Sequence, residues 1–187
     1  MRWSRRGGGA ALAAGLVGSA VVLSEGPPPG RTGGFGEPSC QQCHTGVSVN
    51  LSGAGLGIDS LPPGYLPGAS YRLVVRLSRE HMRRGGFQVA VRFADGSAAG
   101  KQAGVLVPRD SMTRISLLAG RAVQYLNHTR PGSTLVTPGS AHWTFDWTAP
   151  TTGGAVVFNL AANAANDDMT PHGDAIYIRE YRVGRKR

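Results

Sequence analysis

Residues 142–148 read His-Trp-Thr-Phe-Asp-Trp-Thr, so that large aromatic side chains alternate with polar ones. This alternation has a period of two, which is the period of an extended chain and not that of a helix. It places Trp143, Phe145 and Trp147 on one face of a strand and the polar side chains on the other. The segment therefore predicts a half-buried strand of an antiparallel sheet.

The same alternation recurs on both sides of this segment. In residues 71–77 and 87–93 apolar side chains alternate with polar ones, which include Gln88 and Arg92 on the polar face. Residues 112–118 fit either a strand or a short helical turn, and residues 161–166 fit a strand end that runs into a loop. Further strands are predicted at 104–107, 121–128, 155–161 and 175–183. Roughly seven short strands separated by Gly- and Pro-containing turns predict an all-β sandwich over residues 61–183.

The composition sets limits on the class of protein. The chain has 187 residues with 28 Gly, 12 Pro and 41% hydrophobic residues, which is enough to bury the core of one domain. Two cysteines are too few for a disulfide framework. The net charge is +9, but the excess cations are concentrated in the first and last six residues. The body is close to neutral, and we therefore expect no nucleic-acid partner.

The two ends of the chain have their own signatures. Residues 1–24 resemble a secretory signal peptide, with three arginines followed by an uncharged apolar run and small residues. An uncleaved N-terminal anchor stays an alternative, and no other segment is apolar and long enough to span a membrane. Residues 25–33 fit a stiff Pro-rich linker, and residues 184–187 a basic tail. We therefore expect an extracytoplasmic protein, either periplasmic or secreted.

The chemistry is concentrated in Cys40-Gln41-Gln42-Cys43-His44, within a segment that spans residues 34–60. C-x-x-C-H is the attachment signature of c-type haem. Cys40 and Cys43 would form thioether links to the two vinyl groups, and His44 would be the proximal iron ligand. A Cys40–Cys43 disulfide is the first alternative, although it leaves His44 unexplained. A zinc site would need further scattered ligands, and a thioredoxin-like motif would need a βαβ context that is missing.

A second axial ligand to the haem iron would come from elsewhere in the chain. His128 is the residue we favour as the distal ligand, because it ends an apolar strand at the rim of the predicted sandwich. For each candidate, an ordinary surface or core role is the simpler interpretation. His142 alternates outward beside a tryptophan, and His81 lies in a charged turn. The remaining candidates are Met112, Met169 and His172.

Several segments together resemble a known family. Gly86-Phe87-Gln88, Asn127-His128-Thr129 and residues 143–150 and 154–158 come in the order seen in reelin-type (Reeler) domains. More closely, the chain resembles bacterial secreted Reeler-like proteins that open with a Gly-rich stretch, a Gly-Glu pair and a C-x-x-C-H segment. The resemblance spans residues 33–183 and implies an immunoglobulin-like antiparallel β-sandwich. It also gives weight to His128, where the family pattern often carries histidine.

The chain departs from that family at two points. It lacks the later cysteines of the animal domains, and Phe35 lies where Ala-Pro usually precedes the Gly-Glu pair. Neither departure affects residues 40–44. The resemblance therefore supports the fold strongly and the activity weakly, because a fold does not determine a function.

These observations lead to one main function and one alternative. The main hypothesis is a monohaem c-type protein for electron transfer or redox sensing, which implies a redox partner protein. The alternative is an extracellular binding or adhesion module with a local Cys40–Cys43 disulfide and no haem. No hydrolase, nucleotide-binding or zinc-protease motif is present in the sequence. We therefore lean against an enzyme. The one enzymatic hypothesis that we retain is peroxidase-like chemistry at a haem with an open distal side.

Overall fold

The computed structural model describes residues 26–186, and the predicted signal peptide at 1–24 lies outside these residues. Within them, no helix has the length and apolar character needed to cross a membrane. Ten strands and three short 3₁₀ turns make up the regular structure. The strands are β1 (Ala54–Asp59), β2 (Gly64–Tyr65), β3 (Ser70–Arg79), β4 (Arg84–Phe93), β5 (Val105–Pro108), β6 (Thr113–Leu117), β7 (Gln124–His128), β8 (Ser140–Thr148), β9 (Val156–Ala165) and β10 (Ala175–Arg185).

Two sheets form a sandwich, as the alternating pattern predicts. The four-stranded sheet has the order β1-β3-β8-β5, and the six-stranded sheet has the order β2-β10-β9-β4-β7-β6. All the pairings are antiparallel except that of β2 with β10. The prediction of an all-β sandwich is therefore confirmed. Residues 112–118, for which a strand and a helical turn were both considered, contain strand β6.

The aromatic residues of β8 face the core between the two sheets. Trp143, Phe145 and Trp147 are almost inaccessible to solvent. Trp147 lies edge-on to Phe158 of β9, with 5.0 Å between the ring centroids. The indole N–H of Trp143 donates to the carbonyl of Gly132. A buried indole needs such a partner, because an unpaired polar group in the core costs free energy.

The outer face of the six-stranded sheet differs from the prediction. Gln88 and Arg92, expected on the polar face of a half-buried strand, are 0% and 1% exposed. They are covered by residues 26–46, which run across this face. The amide of Gln88 donates to the carbonyl of Pro28, and its oxygen accepts from the backbone N–H of Arg31. The central strands β4 and β9 are therefore buried on both faces, and their polar residues pair with the covering chain.

The ends of the predicted sandwich also differ in detail. Strand β1 lies within the segment 34–60 and pairs with β3 along its whole length. The stretch expected to be a stiff linker lies against the sheet, with Gly26 and Gly30 buried. Gly184 and Arg185, placed at the start of the basic tail, belong to β10 and pair with β2.

Candidate functional site

The C-x-x-C-H motif folds as one tight turn at the end of the covering segment. Cys40–Gln42 is a 3₁₀ turn, and the hydroxyl of Ser39 caps it by accepting from the backbone N–H of Gln41. The carbonyl of Cys40 accepts from the N–H groups of both Cys43 and His44. This turn brings both thiols and the imidazole into one short stretch of backbone.

The residues after His44 dock on the loop between β9 and β10. The N–H of Thr45 donates to the carbonyl of Pro171, and the carbonyl of Thr45 accepts from the N–H of Gly173. Gly46 has a φ of +92°, and a Cβ at this position would lie 2.5 Å from the His172 ring. Glycine is required there, because a side chain would be strained and would clash. The turn is therefore fixed at both ends.

The imidazole of His44 contacts a buried carboxylate. Its Nδ1 lies 2.7 Å from Oδ2 of Asp174. Asp174 immediately precedes β10, and its side chain is 3% exposed. Since an ionised carboxylate only accepts hydrogen bonds, Nδ1 of His44 is the donor in this contact. The His44 side chain is 30% exposed. The ring is thus held from one side and reaches solvent on another.

Asn163 completes this contact from strand β9. Its Nδ2 donates to Oδ2 of Asp174 at 3.3 Å and also lies 3.1 Å from Nδ1 and 3.4 Å from Nε2 of His44. The carboxamide orientation follows from Asp174, because the opposite orientation would place two oxygens against each other. The Oδ1 of Asn163 is buried and has no hydrogen-bond partner within residues 26–186.

His128 lies on the same sheet, at the end of β7. Its Nδ1 lies 3.0 Å from the backbone N and 3.3 Å from the carbonyl oxygen of Phe87, so it accepts from the N–H in one tautomer and donates to the carbonyl in the other. The ring packs on Gly86, where a Cβ would come within 2.7 Å of it. Gly86 in turn is the register partner of Asn163, which contacts His44. The structure therefore brings His128 and His44 to the same part of the six-stranded sheet.

Burial perturbs two titratable groups of the site. Burial lowers the pKa of His128 from 6.5 to about 4, so the imidazole is neutral at physiological pH. Burial also raises the pKa of the Cys40 thiol to about 12. The Cys40 sulfur lies 3.9 Å from the carbonyl oxygen of Arg31, whereas Cys43 is exposed. The two thiols therefore differ strongly in accessibility.

A buried ion pair anchors the covering segment just before the motif. Arg92 Nη1 donates to Oε1 of Glu37 at 2.6 Å, and the two side chains are 1% and 5% exposed. Arg92 Nη2 also donates to Thr32 and Asn159, and the hydroxyl of Tyr125 donates to Glu37. Because Glu37 precedes Cys40 by three residues, this network fixes where the turn meets the sheet.

The other candidate ligands lie apart from His44 or point to solvent. His142 is exposed on the outer face of the four-stranded sheet, across the core from the motif. Met112 packs against the edge of the core. Met169 is 95% exposed in the loop between β9 and β10. His172 is in the same loop and pairs through its backbone with Thr45, and His81 is exposed in the turn after β3.

Sequence reasoning missed four residues of this site: Asn163, Asp174, Glu37 and Arg92. Residues 161–166 were expected to be a strand end that runs into a loop, and β9 continues as far as Ala165 because β4 and β10 pair with it on both sides. Asn163 is therefore a strand residue. The one available signal was the odd placement of asparagines in an otherwise apolar run at 156–165. Asp174 had no local signal, because its partner is 130 residues away.

The donor set fits a c-type haem at its attachment atoms. Two thiols and an imidazole lie on one turn, and a protein group that accepts from Nδ1 is the usual support for an iron-bound histidine. Oδ1 of Asn163, beside His44, is a buried hydrogen-bond acceptor without a donor among residues 26–186. Among residues 26–186, no group of three or more His, Cys, Asp or Glu side chains is arranged to hold a bare metal ion.

Comparisons with known proteins give similarities of fold. No protein-family profile matches the chain, and no curated protein sequence is similar to it. The reeler domain of human F-spondin is 20% identical with a TM-score of 0.46, covering 75% of this chain and 95% of that domain. A second structure of the F-spondin Reelin-N domain is 18% identical with a TM-score of 0.47, covering 79% and 96%.

A bacterial module is similar at a lower level. The cohesin module of a Clostridium perfringens family 33 glycoside hydrolase is 8% identical with a TM-score of 0.43, covering 72% of this chain and 96% of that module. The fold class itself is established by the two sheets of this chain. The chain is an all-β sandwich that is similar in fold to Reeler domains.

Proposed function

We propose that this chain is an extracytoplasmic c-type haem protein in which the sandwich carries one haem on residues 40–44. The observation that carries the proposal is the contact of His44 with the buried Asp174. A carboxylate taken out of water needs hydrogen-bond donors, and Oδ2 of Asp174 accepts from Nδ1 of His44 and from Nδ2 of Asn163. A histidine held by Nδ1 presents Nε2 as a ligand.

The cysteines would provide the covalent attachment. Each thiol would add across one vinyl double bond of the haem, with a C–S bond formed and the thiol hydrogen transferred to the other vinyl carbon. No oxidant or reductant is consumed in this addition. A bound haem supplies an iron that changes its oxidation state by one electron, which suits electron transfer or redox sensing with a partner protein.

His128 is the distal ligand that we propose. When Nδ1 carries the proton and donates to the carbonyl of Phe87, Nε2 is the atom that a ligand contact would use. The imidazole is already neutral at physiological pH, as iron ligation requires. His128 and His44 also share the outer face of one sheet through Gly86 and Asn163.

The visible spectrum of the haem-loaded protein tests this assignment. The ferrous protein should be low-spin with two axial ligands, and His128→Ala should convert it to a high-spin form. His142→Ala is the matched control, because His142 is exposed on the other sheet and should leave the spectrum unchanged. A low-spin spectrum that persists in His128→Ala would refute the distal assignment while leaving the attachment proposal intact.

The alternative is an extracellular binding module without haem. The observation that favours it is the position of Cys40, whose sulfur lies 3.9 Å from the carbonyl oxygen of Arg31 and is less accessible to a haem than the exposed Cys43. In that case Cys40 and Cys43 would form a local disulfide. Mass spectrometry of the secreted protein decides between the two, because a disulfide lowers the mass by two hydrogens and haem raises it by a whole cofactor.

A further inference from the structure

We infer that Asp174 is a positioning residue that lowers the reduction potential at His44, an inference that rests on the proposed haem attachment. Asp174 contacts His44 directly. It acts through the Nδ1–H of His44, at 2.7 Å.

The surroundings of Asp174 hold its carboxylate in one orientation. Oδ2 accepts from His44 and from Nδ2 of Asn163, and Oδ1 accepts at 3.2 Å from the backbone N–H of Asn166. These three donors come from the covering segment, from β9 and from the loop that follows β9. Because the Asp174 side chain is only 3% exposed, its carboxylate cannot easily rotate toward another partner. The contact with His44 is therefore built into the fold.

The charges nearby point to a role beyond packing. No lysine or arginine forms an ion pair with Asp174 among residues 26–186, whereas the neighbouring Asp167 is exposed and pairs with Arg84. The negative charge of Asp174 is thus directed at one imidazole. A hydrogen bond from Nδ1–H to a carboxylate raises the basicity of Nε2 as a ligand.

The consequence for an iron bound at Nε2 has a definite sign. The ferric state carries one more positive charge than the ferrous state. A more basic ligand and a nearby buried negative charge therefore stabilise the ferric state more. Asp174 should hold the potential lower than it would be with a neutral hydrogen-bond acceptor at this position.

Potentiometric titration of the haem-loaded chain tests the inference with Asp174→Asn. This variant keeps the size and shape of the side chain and removes its charge. We expect the ratio of reduced to oxidised protein at a fixed potential to rise about tenfold, which corresponds to about 59 mV. Asp167→Asn is the matched control, because it removes an exposed carboxylate of the same loop that does not contact His44.

The outcomes separate the two proposals. Covalent haem with the same potential in the wild type, Asp174→Asn and Asp167→Asn would overturn the role of Asp174 and leave haem attachment standing. An equal rise in both variants would also overturn it, because a general charge effect would then suffice. A chain that never acquires haem would overturn both proposals.

A second measurement does not depend on whether the Asp174→Asn variant folds. In the Cys40→Ser/Cys43→Ser chain, the nitrogen chemical shifts of His44 report which ring nitrogen carries the proton. We expect the proton on Nδ1, because Nδ1 donates to Asp174. Finding the Nε2–H form would overturn the positioning role even if Asp174→Asn fails to fold.

Discussion

Cys40 and Cys43 are three positions apart in sequence but lie in different surroundings. The Cys40 sulfur lies 3.9 Å from the carbonyl oxygen of Arg31, and desolvation raises the pKa of this thiol to about 12, while Cys43 is exposed. The thiolate is the reactive form, so a buried thiol with a high pKa reacts slowly. The docked turn therefore protects the Cys40 thiol more than the Cys43 thiol.

This difference predicts the order of alkylation. In the reduced, haem-free protein at pH 8, iodoacetamide should modify Cys43 at least about tenfold faster than Cys40, because few Cys40 thiols ionise. Peptide mass spectrometry over time measures both rates. In urea the two rates should converge. Equal rates in the folded protein would contradict the burial of Cys40, and no labelling without reductant would favour the disulfide.

His128 predicts a pH dependence of stability. Its folded pKa of about 4 is below the ordinary 6.5, so between these values the unfolded chain binds more protons than the folded one. Stability should therefore fall as the pH drops from 6.5 to 4, by about 2 kcal/mol for a partly exposed histidine, and this group adds no slope above 6.5.

Urea unfolding of the Cys40→Ser/Cys43→Ser chain at several pH values measures this slope. Other acidic groups also titrate at the lower end, so the comparison is with the same chain carrying His128→Gln. The difference between the two curves is the contribution of His128. Parallel curves from pH 4 to 7 would show that His128 is not buried in the neutral form.

At the scale of elements, the covering segment 26–46 is attached by polar contacts. Its strongest anchor is the buried Glu37–Arg92 pair, supplemented by Thr32, Asn159 and Tyr125. A buried pair adds little compared with an apolar pair of the same shape, but removing one partner leaves a buried charge unpaired. The segment should therefore depend strongly on each member of this pair.

Glu37→Gln should destabilise the protein by about 3 kcal/mol, because Arg92 stays buried without a counter-charge. Chemical unfolding measures the change, and limited proteolysis should show earlier cleavage within residues 26–46. Glu80→Gln is the control, since Glu80 is 85% exposed. If both variants unfold at the same denaturant concentration, the anchoring role assigned to Glu37 is wrong.

The strands were predictable because the alternation of apolar and polar side chains indicates which face of a strand is buried. It could not show that Gln88 and Arg92 lie under another part of the chain, because a polar residue facing solvent and one facing a polar covering segment look alike in sequence. Strand β1 was missed because only Leu56 and Ile58 alternate in it. The motif at residues 40–44 was visible from its spacing, whereas its partners Asn163 and Asp174 required the fold.

At the scale of the whole molecule, the core does not use the proposed haem segment. The main apolar cluster joins both sheets through residues such as Leu73, Phe87, Phe145, Trp147 and Phe158. None of Cys40, Cys43 and His44 belongs to it. A sandwich with this core should fold before any cofactor is attached.

We therefore expect the Cys40→Ser/Cys43→Ser chain to fold without haem. Circular dichroism should show a β-rich spectrum, and urea unfolding should be cooperative, because the buried area of the two sheets is unchanged. The unsubstituted haem-free chain is the reference and should differ by less than about 1 kcal/mol, as expected for small changes outside the core. A non-cooperative transition would mean that residues 40–44 are needed for folding.

Intact-mass spectrometry of the chain co-produced with a c-type cytochrome maturation system tests the central claim most directly. We expect a red protein whose mass exceeds that of the polypeptide by one haem and whose haem absorbance stays with the polypeptide in SDS. The Cys40→Ser/Cys43→Ser chain should lack both features. A colourless wild-type protein of unmodified mass under the same conditions would contradict the account.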